Sequence, residues 1–340
     1  MQLRPLGRTG TYVTELCLGT MTFGREADAA TSGAMIDRYL EAGGNFIDTA
    51  NVYADGRSEE ILGEQLGRRR DDIVLATKGF SVDRPGVGIN DRGSTRRNLI
   101  RSLDASLSRL RTDYVDLYQV HCWDRYTPLE ETLETLDALV RSGKTRYVGA
   151  SNFQGWQLAK SAALQQERGW SPFVTIQPQY SLLVRDVELE ILPAAADAGL
   201  GLLPWSPLGG GFLTGKYRRG ETPAEGRLAE SDSFEGERLR GDEDRHWALA
   251  DTLAEIAEAN GRSVSQVALC WLLAQPHVTA PIIGARTVAQ LEDNLGATGW
   301  TLDDEQLARL DAVSPPPRDY VSEFIAGANS RPDRRGQGAD

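Results

Sequence analysis

Eight short β-type runs recur along the chain, and amphipathic helical patterns follow most of them. That alternation limits the fold more than any other feature. The runs are "ELCLGT" (15–20), "NFIDT" (45–49), "DIVLATKG" (72–79), "YVDLYQVH" (114–121), "TRYVGAS" (145–151), "FVTIQPQ" (173–179), "GLGLLPWSP" (199–207) and "TAPIIGA" (279–285). Helical spacing of apolar residues marks 28–42, 58–69, 94–110, 129–142, 155–168, 186–198 and the stretch from Thr287, with Ser94 as the N-cap of the third.

Strands this apolar, separated by amphipathic helices, predict parallel βαβ units buried on both faces. Eight of them in 340 residues favour a closed (β/α)8 TIM barrel, an α/β fold, over an open doubly wound sheet. The open sheet also lacks its fingerprint: "GVGIND" and "GGGFLT" both fail at the third glycine of G-x-G-x-x-G. The expected organisation is one barrel over 1–313, with a hairpin in the first residues closing its bottom, and a tail over 314–340 that partly lines the pocket and ends in an unstructured polar run. The Gly-, Glu- and Arg-rich stretch from Leu208 to Asp244, after the seventh strand, reads as a lid or an unstructured loop.

A net charge of −12 argues against a nucleic-acid surface. No apolar stretch is long enough to span a bilayer, and "MQLRPLGRTG" lacks the apolar core of a signal peptide, so the cytoplasm is the expected location. Cys17, Cys122 and Cys270 show no metal-ligand spacing, which suits reduced thiols and no metal site.

In a barrel, ionisable groups at the C-terminal ends of strands mark the active-site face. The second run ends at Asp48 with Tyr53 just beyond it, the third at Lys78 and the fourth at His121. Singly, each has an ordinary explanation: a turn cap, a half-buried aromatic, a solvated lysine, a satisfied imidazole. Four at the ends of three consecutive strands are harder to dismiss. Of 37 basic residues only Lys78, Lys144, Lys160 and Lys216 are lysines, so a lysine at a strand end invites a chemical reason. One exists. A tyrosine with a pKa of about 10 is a poor proton donor unless a nearby ammonium stabilises its phenolate. A carboxylate anchors the ammonium, and a neutral imidazole can orient a carbonyl.

The stretches "GTMTFG", "NFIDTANVYADGRSEEILGEQL", "LATKG", "VDLYQVH", "GKTRYVGASNF", "IQPQYSLL", "WSPLGGGFLTGKY" and "IIGARTVAQLEDN" resemble the aldo-keto reductase superfamily, from residue 3 to about 313. The form "LLPWSPLGGGFLTGKY" is similar to the microbial and potassium-channel-β-like branch. The resemblance implies that Tyr53 is the general acid, that Lys78 and Asp48 tune it, and that His121 orients the carbonyl. It also implies NADPH, with NADH the lesser partner, lying across the barrel mouth. Ser151, Asn152 and Gln177 match the groups that hold the nicotinamide carboxamide, and Trp205 the aromatic stacked on its ring. Ser206, Pro207, Leu208, Gly210 and Lys216 match the pyrophosphate contacts. Gly284, Arg286, Gln290, Asp293 and Asn294 match the adenosine end, where Arg286 suits a 2′-phosphate. Asp293 departs from the family's common Glu, and Gln290 from the Arg of the aldose-reductase branch. Gly19, Thr20, Met21 and Asp48 complete the expected cofactor set.

The activity implied is reversible reduction of an aldehyde or ketone, with Phe23, Tyr53, His121 and Trp123, and Tyr320 of the tail, forming an aromatic substrate pocket. A cofactor-bound redox-sensing subunit with little turnover is the alternative. A metal-dependent hydrolase is disfavoured by three scattered histidines, and a short-chain dehydrogenase by the lack of any Tyr with Lys four residues on.

Overall fold

The computed structural model describes residues 1–80, 87–217, 219 and 243–328. It opens with an antiparallel hairpin, β1 (Leu3–Pro5) and β2 (Tyr12–Thr14), paired Leu3 to Thr14. Gly7 in its turn has φ 57°, and a Cβ there would come 2.2 Å from the Val174 carbonyl oxygen. Only glycine lets this turn press against the end of the barrel.

Eight strands make the main sheet: β3 (Cys17–Gly19), β4 (Phe46–Asp48), β5 (Val74–Gly79), β6 (Val115–Val120), β7 (Thr145–Ser151), β8 (Phe173–Gln177), β9 (Gly201–Leu202) and β10 (Ile282–Ile283). They pair in parallel in the order β10-β3-β4-β5-β6-β7-β8-β9. The two outer strands then meet. Thr279 N–H donates to Leu202 O (2.8 Å), Ile282 N–H to Pro204 O (2.8 Å) and Leu202 N–H to His277 O (3.1 Å). The ring closes, and the chain forms the expected (β/α)8 barrel.

The helices lie outside it. α1 (Ala29–Glu41), α2 (Arg57–Leu66), α3 (Arg96–Leu110), α4 (Leu129–Arg141), α5 (Gly155–Arg168) and α6 (Ile191–Ala198) are followed by α7 (Glu243–Asn260), α8 (Val264–Ala274), α9 (Val288–Leu295), α10 (Asp304–Val313) and α11 (Tyr320–Ala328). Their apolar faces recur at three- and four-residue spacing: Met35, Ile36 and Tyr39 on α1, Ile61, Leu62 and Leu66 on α2, Leu99, Leu103, Leu107 and Leu110 on α3 are all buried. Each such side chain contributes about 1.5–3 kcal/mol when fully buried. This shell between helices and sheet is the larger of two apolar clusters.

Two local expectations need correction. The N-cap of α3 is Thr95, whose side chain accepts the Asn98 N–H at 3.3 Å, and not Ser94. Ser94 is buried and spends its hydroxyl on Thr132 of α4 at 2.9 Å. The expected helix over 186–198 is a short 3-10 turn (Asp186–Glu188) and then α6. Pro193 causes the break: it lacks an N–H and fits only a first helical turn, so α6 starts just before it.

Of the expected 208–244 loop, Gly209–Thr214 forms a 3-10 turn, and 218 and 220–242 lie outside the described residues, as does the tail end, 329–340. Among the described residues no helix is long and apolar enough to cross a membrane.

Candidate active site

The barrel interior changes character along its axis. Strand residues two apart share a face, so Phe46 and Asp48 of β4, Ala76 and Lys78 of β5, and Leu117 and Gln119 of β6 project the same way. The first of each pair belongs to an apolar cluster with Cys17 and Val174, sealed by Leu6 and Val13 from the hairpin end of the chain. The second of each pair is polar. Asp48, Lys78 and Gln119 are nonetheless almost completely buried, as is Gln177 on β8.

Buried charge must be paired, and here it is. The Lys78 ammonium has three hydrogens and three partners: Asp48 Oδ1, the Thr49 carbonyl (2.8 Å) and the Tyr53 hydroxyl oxygen (3.3 Å). The other Asp48 oxygen, Oδ2, accepts from Gln177 Nε2 (3.0 Å) and Gln119 Nε2 (3.3 Å). Burial works against the Lys78 cation, but Asp48 and the Tyr53 oxygen outweigh it and hold its pKa above the ordinary lysine value. Burial pushes the Asp48 carboxyl up, and Lys78 and the two amides only partly offset this.

Tyr53 opens a turn in which the next two residues, Ala54 and Asp55, have φ 49° and 55°. Left-handed backbone at a non-glycine pair costs roughly 1–3 kcal/mol per residue. The turn that sets the phenol above Lys78 is therefore held by its surroundings and not by local preference. The His121 ring meets the Tyr53 ring edge-on, centroids 6.0 Å apart and planes at 81°. Burial, then the nearby Lys78 cation, drive the His121 pKa down to about 3. A neutral imidazole results at physiological pH, with one nitrogen free to donate and the other to accept. All four strand-end residues singled out in the sequence converge.

Asn152 ties the neighbouring strand ends together. Its Nδ2 donates to the His121 carbonyl (2.9 Å) and to Ser151 Oγ (3.0 Å), and its Oδ1 accepts from Trp205 Nε1 (3.2 Å). Ser151 Oγ in turn donates to the Gln177 carbonyl (2.8 Å). Asn152 and Ser206 both take positive φ, 56° and 52°, a strained backbone of the kind that collects at functional sites.

Beyond Ser206, Pro207 and the half-buried Leu208, Gly209, Gly210, Gly211 and Gly215 have φ of 55°, 64°, 96° and 73°. A Cβ on Gly211 would lie 3.0 Å from Lys216 Nζ. The turn is thus a glycine-lined cradle beside an ammonium, and the donor chemistry fits a dinucleotide's phosphates.

After β10, the neighbour of β9 in the closed ring, Arg286 precedes α9. Its N–H donates to Gln290 Oε1 (2.9 Å), and Thr287 caps the helix through the Gln290 N–H (3.2 Å). Asn294 is buried and donates to the Gly284 carbonyl (3.2 Å), while Asp293 Oδ1 accepts from Gln266 Nε2 (3.1 Å). These side chains shape the segment around Arg286. On β3, Gly19 is required because a Cβ would meet Ile282 Cγ2 at 2.6 Å. Thr20 gives its N–H to the Asp48 carbonyl (3.0 Å), and Met21 next to it is half-buried.

The expected substrate pocket is only partly assembled. Trp123 is half-buried and packs edge-on against Phe153 (5.2 Å) and Trp156 (5.5 Å), with Trp156 53% exposed. Phe23 is a correction: it has no exposed surface and belongs to the outer core with Ala27 and Ile61. The Phe23–Ala27 bridge, closed by a turn at Gly24 (φ 76°), folds this loop back on the helices and takes the ring out of the cleft. Tyr320 stands 77% exposed on α11 beside Phe324. Gln119 and the Thr49 carbonyl are site groups the sequence reading missed. Gln119 had a signal: it alternates with Leu117 and His121 along β6.

A parallel (β/α)8 barrel with a buried Lys–Asp pair under a tyrosine and a neutral imidazole at the C-terminal strand ends defines a class of barrel proteins with an ionisable cluster at the mouth. Residues 15–315 match the Aldo/keto reductase family, and the chain belongs to it. It is 43% identical over 336 residues to the uncharacterized oxidoreductase YrpG of Bacillus subtilis, covering 96% of this chain and 100% of that one. It is 36% identical over 319 residues to norsolorinic acid reductase of Aspergillus flavus (90% and 79% covered). A probable voltage-gated potassium channel subunit beta of Oryza sativa is also 36% identical, over 320 residues (92% and 96% covered).

Proposed function

We propose that this protein is an NADPH-dependent reductase of small aldehydes or ketones. The observation that carries the reading is the Tyr53 hydroxyl 3.3 Å from a Lys78 ammonium that is itself paired with buried Asp48. NADPH, when bound, would supply a hydride to the carbonyl carbon. The chain's own work is on the oxygen. Neutral His121 donates a hydrogen bond to the carbonyl oxygen and orients it. Tyr53 delivers the proton as negative charge grows there, and Lys78 stabilises the phenolate left behind. Asp48 and its two glutamine donors hold Lys78 in place. By microscopic reversibility the same groups serve alcohol oxidation.

Trp205 offers a flat face to the nicotinamide, and Ser151, Asn152 and Gln177 polar groups to its carboxamide. The glycine cradle with Lys216 suits the pyrophosphate, and Gly284 to Asn294 the adenosine, with Arg286 on the 2′-phosphate. Trp123 forms part of the carbonyl pocket.

The kinship to a protein named as a potassium channel β subunit supports a second reading, a cofactor-bound sensor that scarcely turns over. One assay separates them: steady-state loss of nicotinamide absorbance with NADPH and 4-nitrobenzaldehyde. Sustained turnover supports the reductase. Tight cofactor binding without turnover supports the sensor and removes the reductase reading.

A further inference from the structure

Arg286 is not alone at the adenosine end. Its guanidinium lies 3.7 Å from Glu26 Oε1, and both side chains are part-exposed, 37% and 27%. Glu26 sits in the loop from β3 to α1, and Arg286 in the turn from β10 to α9. The two loops are pinned side by side, because Thr22 Oγ1 donates to the Ala285 carbonyl at 2.6 Å. Thr22 and Ala285 are both buried, so this seam is a fixed feature and not a chance approach of two mobile chains. The Glu26 loop is further closed on itself by Ala27 N–H to Thr22 O (3.0 Å) and Gly24 N–H to Ala27 O (2.8 Å). A carboxylate is therefore stationed beside the one arginine that the proposed cofactor pose assigns to the 2′-phosphate.

The consequences for the two dinucleotides are opposite. A 2′-phosphate carries nearly two negative charges, so it must share Arg286 with Glu26 and bears like-charge repulsion from it. A ribose with a free 2′-hydroxyl has no such conflict: a carboxylate accepts its O–H, as acidic residues do for NAD in other dinucleotide sites. We propose that Glu26 is a cofactor-discriminating residue that opposes the 2′-phosphate, narrows the preference for NADPH set by Arg286, and leaves NADH a usable partner. The proposal rests on the dinucleotide site described above and adds a residue to it.

The test is direct binding, independent of turnover. NADPH and NADH are each titrated against the full-length protein by quenching of tryptophan fluorescence, for wild type and Glu26→Gln. Glutamine keeps the shape and removes the charge. For a part-exposed pair the ratio of dissociation constants, NADH over NADPH, should rise about three- to tenfold in E26Q, mostly through tighter NADPH, and the gain should shrink at high salt. Arg286→Ala should move the ratio the other way. An unchanged or lower ratio in an E26Q protein that binds both dinucleotides overturns the Glu26 assignment and leaves the reductase reading standing. A wild type that binds neither dinucleotide overturns both. An unchanged melting temperature for E26Q shows that the ratio reports the site and not the fold.

Discussion

The two ends of the barrel interior are built from the same strands and do opposite things. At the lower end Cys17, Phe46, Ala76, Leu117 and Val174 pack against Leu6 and Val13 in an apolar cluster. One pleat higher, Asp48, Lys78 and Gln119 are just as buried but hold a charge network. Apolar packing at the bottom stabilises; the network at the top is weak evidence for stability, since pairing two buried charges roughly offsets their desolvation. In the proposed function it is the machinery held under Tyr53. A single two-residue step along a strand separates apolar packing from the buried charge network that the proposed chemistry uses.

That division can be broken by mutation, and the largest effect is expected at its boundary. Lys78→Met leaves the Asp48 carboxylate buried with its main partner gone, which should cost about 3–5 kcal/mol in stability and also abolish reduction. Chemical denaturation and the nicotinamide assay measure the two. A variant as stable as wild type would mean the pair is not the buried ion pair described here. Leu117→Ala, at the apolar end, should lose about 2–5 kcal/mol yet keep turnover per folded molecule near the wild-type value. If its turnover falls along with its stability, the two ends are not separable.

The pH response sharpens the same contrast. His121 is neutral in the folded protein down to about pH 3, whereas a free histidine protonates near 6.5. Between those values the unfolded chain binds the extra proton, so stability referable to His121 falls as pH drops through that window. Denaturation of wild type and His121→Asn across it should show a shallower loss in the variant; parallel curves would place the imidazole in solvent. The smallest effect is remote from both ends. Thr95→Ala removes the cap of α3 and should cost about 1 kcal/mol, read as a lower melting temperature with activity intact.

Much of this was legible in the sequence because the barrel writes its active face at strand ends: an apolar run that stops on Asp48, Lys78 or His121 is visible without coordinates. Helices α1 to α5 and α9 were equally visible, from the spacing of residues such as Leu99, Leu103 and Leu107, whereas α7, α8, α10 and α11 were not picked out. What stayed hidden was decided by contacts between distant segments. The closure of the ring rests on backbone bonds from Leu202 and Pro204 to 277–282, in strands too short to announce their register. In isolation Ser94 is at least as good a cap as Thr95, but contacts from Thr132 and Asp124 hold it and Thr95 caps the helix. Phe23 reads as a pocket aromatic until the loop is seen to fold back at Gly24, and the approach of Glu26 to Arg286 joins opposite ends of the chain.

The central claim is that the Tyr53 phenol is the proton source for carbonyl reduction at a bound dinucleotide. Tyr53→Phe removes one oxygen from the cluster. Measured side by side for NADPH binding and for reduction of 4-nitrobenzaldehyde, it should bind the cofactor with nearly the wild-type constant and reduce the aldehyde about 10²- to 10⁴-fold more slowly. A phenylalanine variant that turns over at close to the wild-type rate would contradict the account.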